Sequence, residues 1–512
     1  MINEIKNYFN SLQNTENWFR FGKTFATKNK KYFLDTGTGK IFIINDSVYK
    51  ILDCITRTND FENIKRLSLS DEELKSALDE IKEAVENEHI LSALPVKTLV
   101  GPQNTELEKR LDNKMQSITL ELTEKCNLRC KYCIYGKDYS DYRNFGTKEM
   151  SIEVAKKAVD FLIEHHGDEE FHVGFYGGEP LLCFDKIKEI VSYVKEKYHG
   201  DKIYFSMTSN MTLMTKEMAE YFANVGNFTI MCSIDGPEFI HNENRVYVNG
   251  KGTFNDAIRG VKYVAEAYKG KDAPPILFSV VLNPPYSKER FNEIQDFFSS
   301  LEWLPSNSTV QISYVSYETV PEEYIPINDR TENQFEYILE DDIDPLEEWS
   351  LDKSEKNNLF SEDYIKKPFL QIHKRRISDT PIKNYGFLGC CVPGARKAFI
   401  TTTGDILPCE RIGTVPPVGN VFDGFNIKHI KKYYVDEFIK ESIKVCGECW
   451  AINICSNCYM DCFDKNGKID FSYKNRLCRS TRKQIHYDLI CYHELLEKDP
   501  ELINKLNNEQ MI

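Results

Sequence analysis

From Ser117 onward the chain settles into a rhythm that leaves few folds open to it. Six strand-like runs, "SITLELT", "FHVGFYGG", "IYFSMTS", "FTIMCSID", "ILFSVVLN" and "VQISYVS", begin at residues 117, 171, 203, 228, 276 and 310. Helical segments such as "SIEVAKKAVDFLIEHH", "FDKIKEIVSYVKEKY" and "TFNDAIRGVKYVAEAY" lie between them. Parallel strands need a crossover, and a helix is the usual one. The alternation therefore predicts an α/β fold, a parallel sheet wrapped by helices as a partial barrel or an open sheet. In such folds chemistry collects at the carboxyl ends of the strands, and the motifs that stand out here follow strands.

The first motif is "ELTEKCNLRCKYCIYG", which places Cys126, Cys130 and Cys133 directly after the first run. Three thiolates are one short of a closed tetrahedral metal site. They are also the usual ligands of iron–sulfur clusters, and three ligands on four irons leave one iron for an outside chelator. A structural zinc site is the rival reading. Most of the sixteen cysteines fall in this loop or in a second group between residues 390 and 478. The start, "MINEIKNYFNSLQNTENWF", has no basic segment followed by an apolar run, so a cytoplasmic protein is expected. Clustered thiols there bind metal or do chemistry more often than they form disulfides. Cys54, Cys183, Cys232 and Cys491 sit in apolar or helical contexts and are expected to be small buried hydrophobes.

At 512 residues the chain exceeds a single core, so about two to four domains are expected. A net charge of −14 argues against a nucleic-acid partner that needs a broad basic surface. No run approaches the roughly 18 apolar residues of a membrane span. Near the start, "KKYFLDTGTGKIFIIND" predicts two strands around a Thr-Gly-Thr-Gly turn. "SVYKILDCI" and "SDEELKSALDEIKEAVENEHIL" predict helices, the second opening at Ser70. Together they suggest a winged-helix-like unit over 1–97, followed by a linker, "LPVKTLVGPQNTELEKRLDNK". The strand–helix core is assigned to 112–318, an acidic connector with a helix around "EDYIKKPFLQIHKRR" to 319–385, and a cysteine-rich domain to 386–496.

The spacing C-x3-C-x2-C, with Tyr132 before the last cysteine, resembles the radical S-adenosylmethionine (radical SAM) superfamily. The resemblance implies a partial (β/α)6 barrel, a 4Fe-4S cluster on Cys126, Cys130 and Cys133, and S-adenosylmethionine on its open iron. "GFYGGEPLL" matches the family's GGEP motif. By that match Gly177, Gly178 and Glu179 belong to the segment that holds the methionine amino group, the glycines letting backbone approach a ligand. Ser209 and Asn210 fall at the ribose-facing end of the third strand. Ser233 and Asp235, with Arg245, resemble the stretch contacting ribose and the methionine carboxylate. The implied chemistry is reductive: an electron from flavodoxin or ferredoxin passes through the cluster to the sulfonium, and the resulting 5′-deoxyadenosyl radical abstracts hydrogen from an unactivated carbon.

The later cysteines resemble the SPASM extension, which carries two auxiliary 4Fe-4S clusters. By that resemblance Cys446, Cys449, Cys455 and Cys478 hold one. Cys391 or Cys390, with Cys409 and Cys458 or Cys462, hold the other. The chain departs from the pattern in its C-x2-C at Cys455 and Cys458, in the extra Cys462 and in the doubled Cys390–Cys391. A zinc ribbon is the alternative. Glu410 occupies the place of an acidic catalytic base in sulfatase-maturing relatives, and a surface salt bridge is the other reading.

"KYFLDTGTGKIFIINDSVYKIL" resembles the recognition element of enzymes that modify ribosomally made peptides, which captures a leader as an added strand. A DNA-binding winged helix and an inert cap are the alternatives, and the acidic helix suits phosphate poorly. The whole resembles maturases that install thioether crosslinks in Cys-rich precursor peptides. Another radical SPASM activity, carbon–carbon crosslinking or formylglycine formation, is a second expectation. A zinc-stabilised peptide-binding scaffold is a third.

Overall fold

The computed structural model describes residues 18–136, 145–167, 170–200, 202–283, 288–314, 367–411, 415–459, 462–464, 466–469 and 471–509. Three antiparallel strands come first: β1 (Gly22–Ala26), β2 (Lys31–Asp35) and β3 (Ile41–Ile44), in that order. β2 and β3 flank the Thr-Gly-Thr-Gly turn as expected. β1, whose "GKTFA" lacks clean alternation, was not foreseen. Helix α1 (Asp46–Thr58) and helix α2 (Asp71–Glu88) pack against this sheet through Ile51, Ile55, Leu78 and Ile81. α2 opens on a capping box, Ser70 and Glu73 each satisfying the other's backbone N–H.

The expected linker is not loose. It folds into a turn of helix at Pro102–Thr105 and helix α3 (Leu107–Asn113), and Val96, Leu99, Leu107 and Leu111 join the main core. The apolar residues at helical spacing carry it there; hydrophilic neighbours masked that pattern.

β4 (Ser117–Thr123), β5 (Phe171–Gly177), β6 (Ile203–Ser209), β7 (Phe228–Ser233), β8 (Ile276–Leu282) and β9 (Thr309–Tyr314) lie parallel, each beside the next. Helices α4 (Ile152–His165), α5 (Phe184–Lys197), α6 (Lys216–Val225), α7 (Phe254–Tyr268) and α8 (Lys288–Ser299) make the crossovers. Side chains alternate between the two faces of a strand. Leu120, Val173, Phe205, Ile230 and Phe278 bury themselves on one face with Ala158, Ile187, Phe222 and Val261 from the helices. Each such burial of a Leu, Val, Ile or Phe side chain is worth about 1.5–3 kcal/mol. The other face carries Thr119, Glu121, Tyr176, Ser206, Thr208 and Ser279 among Met231, Leu277 and Val281, so it is the more polar of the two.

A seventh parallel strand was not foreseen. β10 (Lys397–Ile400) pairs with β4, so the cysteine-rich region extends the same sheet. β11 (Asp405–Leu407), β12 (Gly419–Asn420) and β13 (Gly424–Phe425) continue it antiparallel. Of the acidic connector, residues 319–366 lie outside the described residues. Its remainder, 367–385, begins with helix α9 (Lys367–His373), whose Phe369, Leu370 and Ile372 are buried. α9 shares a core with Phe25 and Tyr32 of the first sheet and with Leu489 and Tyr492 of the long helix near the end, Phe471–Lys498. Among the described residues no helix is long and apolar enough to cross a membrane. Cys54, Cys183, Cys232 and Cys491 are all buried.

Candidate active site

The cysteine loop leaves the end of β4 and is held from two sides. On one side the turn after β5 zips onto its first residues: the Gly178 N–H donates to Thr123 O at 2.7 Å and the Glu179 N–H to Lys125 O at 2.9 Å. A Cβ on Gly178 would lie 2.0 Å from Lys125 O, and Gly177 has φ +137°. These glycines were expected to admit a ligand; what approaches them is the backbone that launches Cys126. On the other side Arg129 N–H donates to Val246 O at 2.8 Å and Lys131 N–H to Asn244 O at 3.1 Å.

The loop turns its thiols towards one another. Burial pushes Cys126 and Cys130 up to about 12, and the charge of a neighbouring thiolate adds to the rise in each. Burial likewise raises Cys133, against backbone N–H groups of Tyr135 and Gly136 that face its sulfur. The Leu128 N–H points at Cys126 Sγ, 3.4 Å away. N–H donors aimed at sulfur, with three thiols that repel as thiolates until cationic iron joins them, suit a cluster. Among the described residues no three His, Cys, Asp or Glu side chains are close enough to ring a single ion.

Glu179 is buried at the sheet's carboxyl end, where burial lifts its carboxyl to about 7 against three donors that pull it down. Those donors are the Ser209 hydroxyl at 2.8 Å, the Asn210 N–H at 2.8 Å and the Leu181 N–H at 3.1 Å. Ser209, expected at the ribose-facing end, thus spends its proton on Glu179. Asn210 instead faces the cysteine loop, donating to Asn127 Oδ1 at 3.0 Å with Cys126 Sγ 3.9 Å away.

Asp235, Arg245 and Tyr132 form one buried knot. Arg245 forks onto Asp235 at 2.9 and 3.1 Å, the Tyr132 hydroxyl donates to Asp235 Oδ2, and the Val281 N–H reaches Oδ1 at 3.0 Å. Burial opposes the Arg245 charge, but Asp235, Tyr132 and Cys130 hold its pKa above the ordinary value. Buried His241 backs the knot, its Nε2 3.0 Å from the Thr253 hydroxyl, and burial holds its pKa down to about 4. Ser233 ends β7, buried, in register with Ser279 of β8.

Sequence reasoning missed Asn127, His241 and Tyr176. Asn127 stood inside the cysteine loop, overshadowed by the thiols. Tyr176 stood in "GFYGGEP", where only the glycines and Glu179 drew notice. Burial raises its pKa, and the charges of Glu410 and Cys133 both add to the rise, so its hydroxyl lies within electrostatic reach of each. Glu410 itself pairs with Lys397 at 3.7 Å, which is the salt bridge of the second reading.

The later cysteines are drawn into two neighbourhoods. Cys446, Cys449, Cys455 and Cys478 line one cavity. Burial raises Cys455 to about 12 against the Asn457 N–H, and the other three thiols add to the rise. The Asn457 amide also points at Cys478 Sγ, 3.9 Å away. In the second neighbourhood, crowding by protein and then the Cys409 charge push Cys391 up to about 11, although the residue is exposed. Cys390 and Cys462 are buried close by, around Tyr459, and the Cys462 thiol donates to Cys458 O. Cys458 is half-buried against the main core. The Thr-Gly-Thr-Gly turn of the first sheet meets the loop between Cys449 and Cys455: the Thr36 hydroxyl donates to Trp450 O at 3.0 Å, and Asn453 Nδ2 to Thr36 O at 2.9 Å.

Residues 120–298 match the family profile of the Radical SAM superfamily. The central domain is a radical SAM domain. Its cofactors are 4Fe-4S iron–sulfur and S-adenosylmethionine, and the chain that carries it is an enzyme. The chain is similar to an uncharacterized Methanocaldococcus jannaschii protein, 34% identical over 34% of this chain and 57% of that protein's length. The cysteine-type anaerobic sulfatase-maturating enzyme of Clostridium perfringens is 25% identical over 75% of this chain and 96% of its own. The solved structure of native anSMEcpe with bound AdoMet shares the fold, with a TM-score of 0.55 and 23% identity over 77% of this chain and all of that one.

Proposed function

We propose that the chain is a radical SAM maturase that forms thioether links between cysteine sulfur and carbon in a ribosomally made, Cys-rich peptide. The observation that carries this reading is the convergence of Cys446, Cys449, Cys455 and Cys478 on one cavity, in a region whose β10 extends the radical SAM sheet. Four thiols lining one cavity, Cys446 and Cys478 buried and Cys449 and Cys455 half-buried, suit a fully ligated auxiliary cluster. Cys126, Cys130 and Cys133 would hold the cluster that binds S-adenosylmethionine. Cys390 or Cys391, with Cys409 and Cys458 or Cys462, would hold a second auxiliary cluster. Once bound and reduced, these groups supply a carbon-centred radical that takes hydrogen from an unactivated carbon.

The protein's own part is positioning. Asn210 and the N–H of Leu128 steady Cys126, and the Arg245–Asp235–Tyr132 knot fixes the far side of the loop beside Cys130. Arg245 sets a fixed positive charge beside Cys130, suited to a thiolate-rich site. The polar sheet face would receive the peptide, and Glu410, within electrostatic reach of Tyr176, would leave its pairing with Lys397 to take a proton from a substrate thiol. The edge of β3, which pairs with no further strand among the described residues, with exposed Ile43, is suited to adding a leader as a fourth strand.

The test is anaerobic reconstitution with iron and sulfide counts, dithionite-driven cleavage of S-adenosylmethionine, and mass spectrometry of a co-expressed Cys-rich peptide. Loss of two hydrogens with a blocked cysteine supports the proposal; a protein that binds zinc and cleaves nothing overturns it. A second reading, formylglycine formation, is favoured by Glu410 following Cys409 and by the similarity to the Clostridium perfringens enzyme. It predicts an aldehyde in place of the cysteine, with its sulfur gone.

A further inference from the structure

The Tyr459 ring is 1% exposed and clamped between Tyr434 and Phe438, at centroid distances of 5.3 and 4.9 Å. Its hydroxyl has no hydrogen-bond partner among the described residues. Buried hydroxyls almost always have one, so an unpartnered one points to a group that belongs beside it. The surroundings say which. Tyr459 directly follows Cys458, and its carbonyl accepts from the Cys462 N–H at 3.0 Å. The turn bearing Cys390 and Cys391 packs on the same segment, where Gly389 N–H donates to Asn457 O at 3.1 Å and a Cβ on Gly389 would meet Ser456 O at 2.0 Å. Cys390, Cys391 and Cys462 all lie within electrostatic reach of the hydroxyl. Tyr434 has Cys391 and Cys409 within the same reach, but its hydroxyl is committed to Pro416 O at 2.8 Å.

We propose that the Tyr459 hydroxyl donates a hydrogen bond to a sulfur of the auxiliary cluster held by Cys390 or Cys391, Cys409 and Cys458 or Cys462, and thereby raises that cluster's reduction potential. This rests on the reading of those cysteines as cluster ligands. Reduction adds negative charge to the sulfurs, and a donor aimed at them stabilises the reduced form. A cluster tuned upward is a better sink for the electron left over when a carbon–sulfur bond forms. Tyr459 is thus a positioning residue.

The experiment uses the full chain, reconstituted anaerobically, with Cys126, Cys130 and Cys133 changed to Ala so that only auxiliary clusters give a signal. Iron is counted, and midpoint potentials are read by electron paramagnetic resonance during redox titration. Expected are full iron and a lowered potential for one cluster in Tyr459→Phe, and no change in Tyr434→Phe. Replacing Tyr459 by a difluorotyrosine, a stronger donor on the same ring, shifts that potential upward. Full iron with an unchanged potential in Tyr459→Phe overturns the inference and leaves the cluster reading standing; a buried water as the hydroxyl's partner gives this result. Should Tyr459→Phe not load, an unchanged potential with difluorotyrosine overturns it. A parent protein with iron for one auxiliary cluster only, and none lost when Cys409 becomes Ala, overturns the cluster reading itself.

Discussion

Gly178 and Lys125 touch backbone to backbone: the Gly178 Cα lies so close that a methyl group there would sit 2.0 Å from the Lys125 carbonyl oxygen. Neither partner is a flexible side chain, so the loop that carries Cys126 has to move if Gly178 gains one. Gly178→Ala is expected to lose the iron of one cluster and to slow S-adenosylmethionine cleavage about a hundredfold, the usual cost of a shift of about 1 Å at a reacting centre. Gly386→Ala, where nothing lies within 4 Å, is the control and keeps both. Iron counts and deoxyadenosine release check the pair.

The fork of Arg245 on Asp235 is buried on both sides, with 8% and 0% of the side chains exposed. Removing one partner of such a pair strands the other. Arg245→Met is expected to cost about 3–5 kcal/mol in the first unfolding transition of the metal-free chain in urea. Pairing it with Asp235→Asn recovers part of that loss.

Asp35 gives the first sheet a pH dependence. Burial lifts its carboxyl to about 6 from an ordinary value of 3.8, while the Thr38 and Leu91 N–H groups and the Thr38 hydroxyl pull it back. The folded state therefore holds the proton more tightly than the unfolded one. That stability is fully present below the unfolded value and is lost as pH rises through about 6. Urea unfolding at a series of pH values is expected to show about 2–3 kcal/mol more loss across this window in the parent than in Asp35→Asn.

Changing any one of Cys446, Cys449, Cys455 or Cys478 to Ala is expected to remove one cluster's iron while S-adenosylmethionine cleavage continues. Changing Cys126, Cys130 or Cys133 removes the cleavage itself. Iron analysis beside deoxyadenosine release separates the two sets.

Ile43, 63% exposed, lies on the β3 edge proposed above to take up the leader. Ile43→Pro removes a backbone donor from that edge. It is expected to weaken binding of the precursor's leader about tenfold, near 1.4 kcal/mol, with S-adenosylmethionine cleavage unchanged. Fluorescence anisotropy of a labelled leader measures it.

The six parallel strands were legible because each pairs a short run rich in β-branched and aromatic residues with a helix of clear period. The three-cysteine loop drew notice by its spacing and by the family resemblance that the spacing carries. β10 was not, because "KAFI" is four residues long and joins β4 across nearly three hundred positions. The partners of Glu179 were also hidden. Ser209 and Asn210 stood out as polar residues at a strand end, but nothing local says that a serine there donates a hydrogen bond to a carboxylate in the turn after the neighbouring strand. The packed segment over 94–114 was misjudged because its apolar residues are few and its loops polar.

The docking of Thr36 on Trp450 and Asn453 has a geometric consequence. With the first sheet tied to the loop between Cys449 and Cys455, and Val96, Leu99 and Leu107 tied into the main core, β3 sits at a set distance from the thiols that follow the carboxyl end of β4. If a leader is anchored along β3, the enzyme measures its substrate as a ruler does, and the cysteines it reaches are chosen by their count of residues from that anchor. Lengthening the peptide between anchor and first target would then shift modification to an earlier cysteine, whatever the side chains around it.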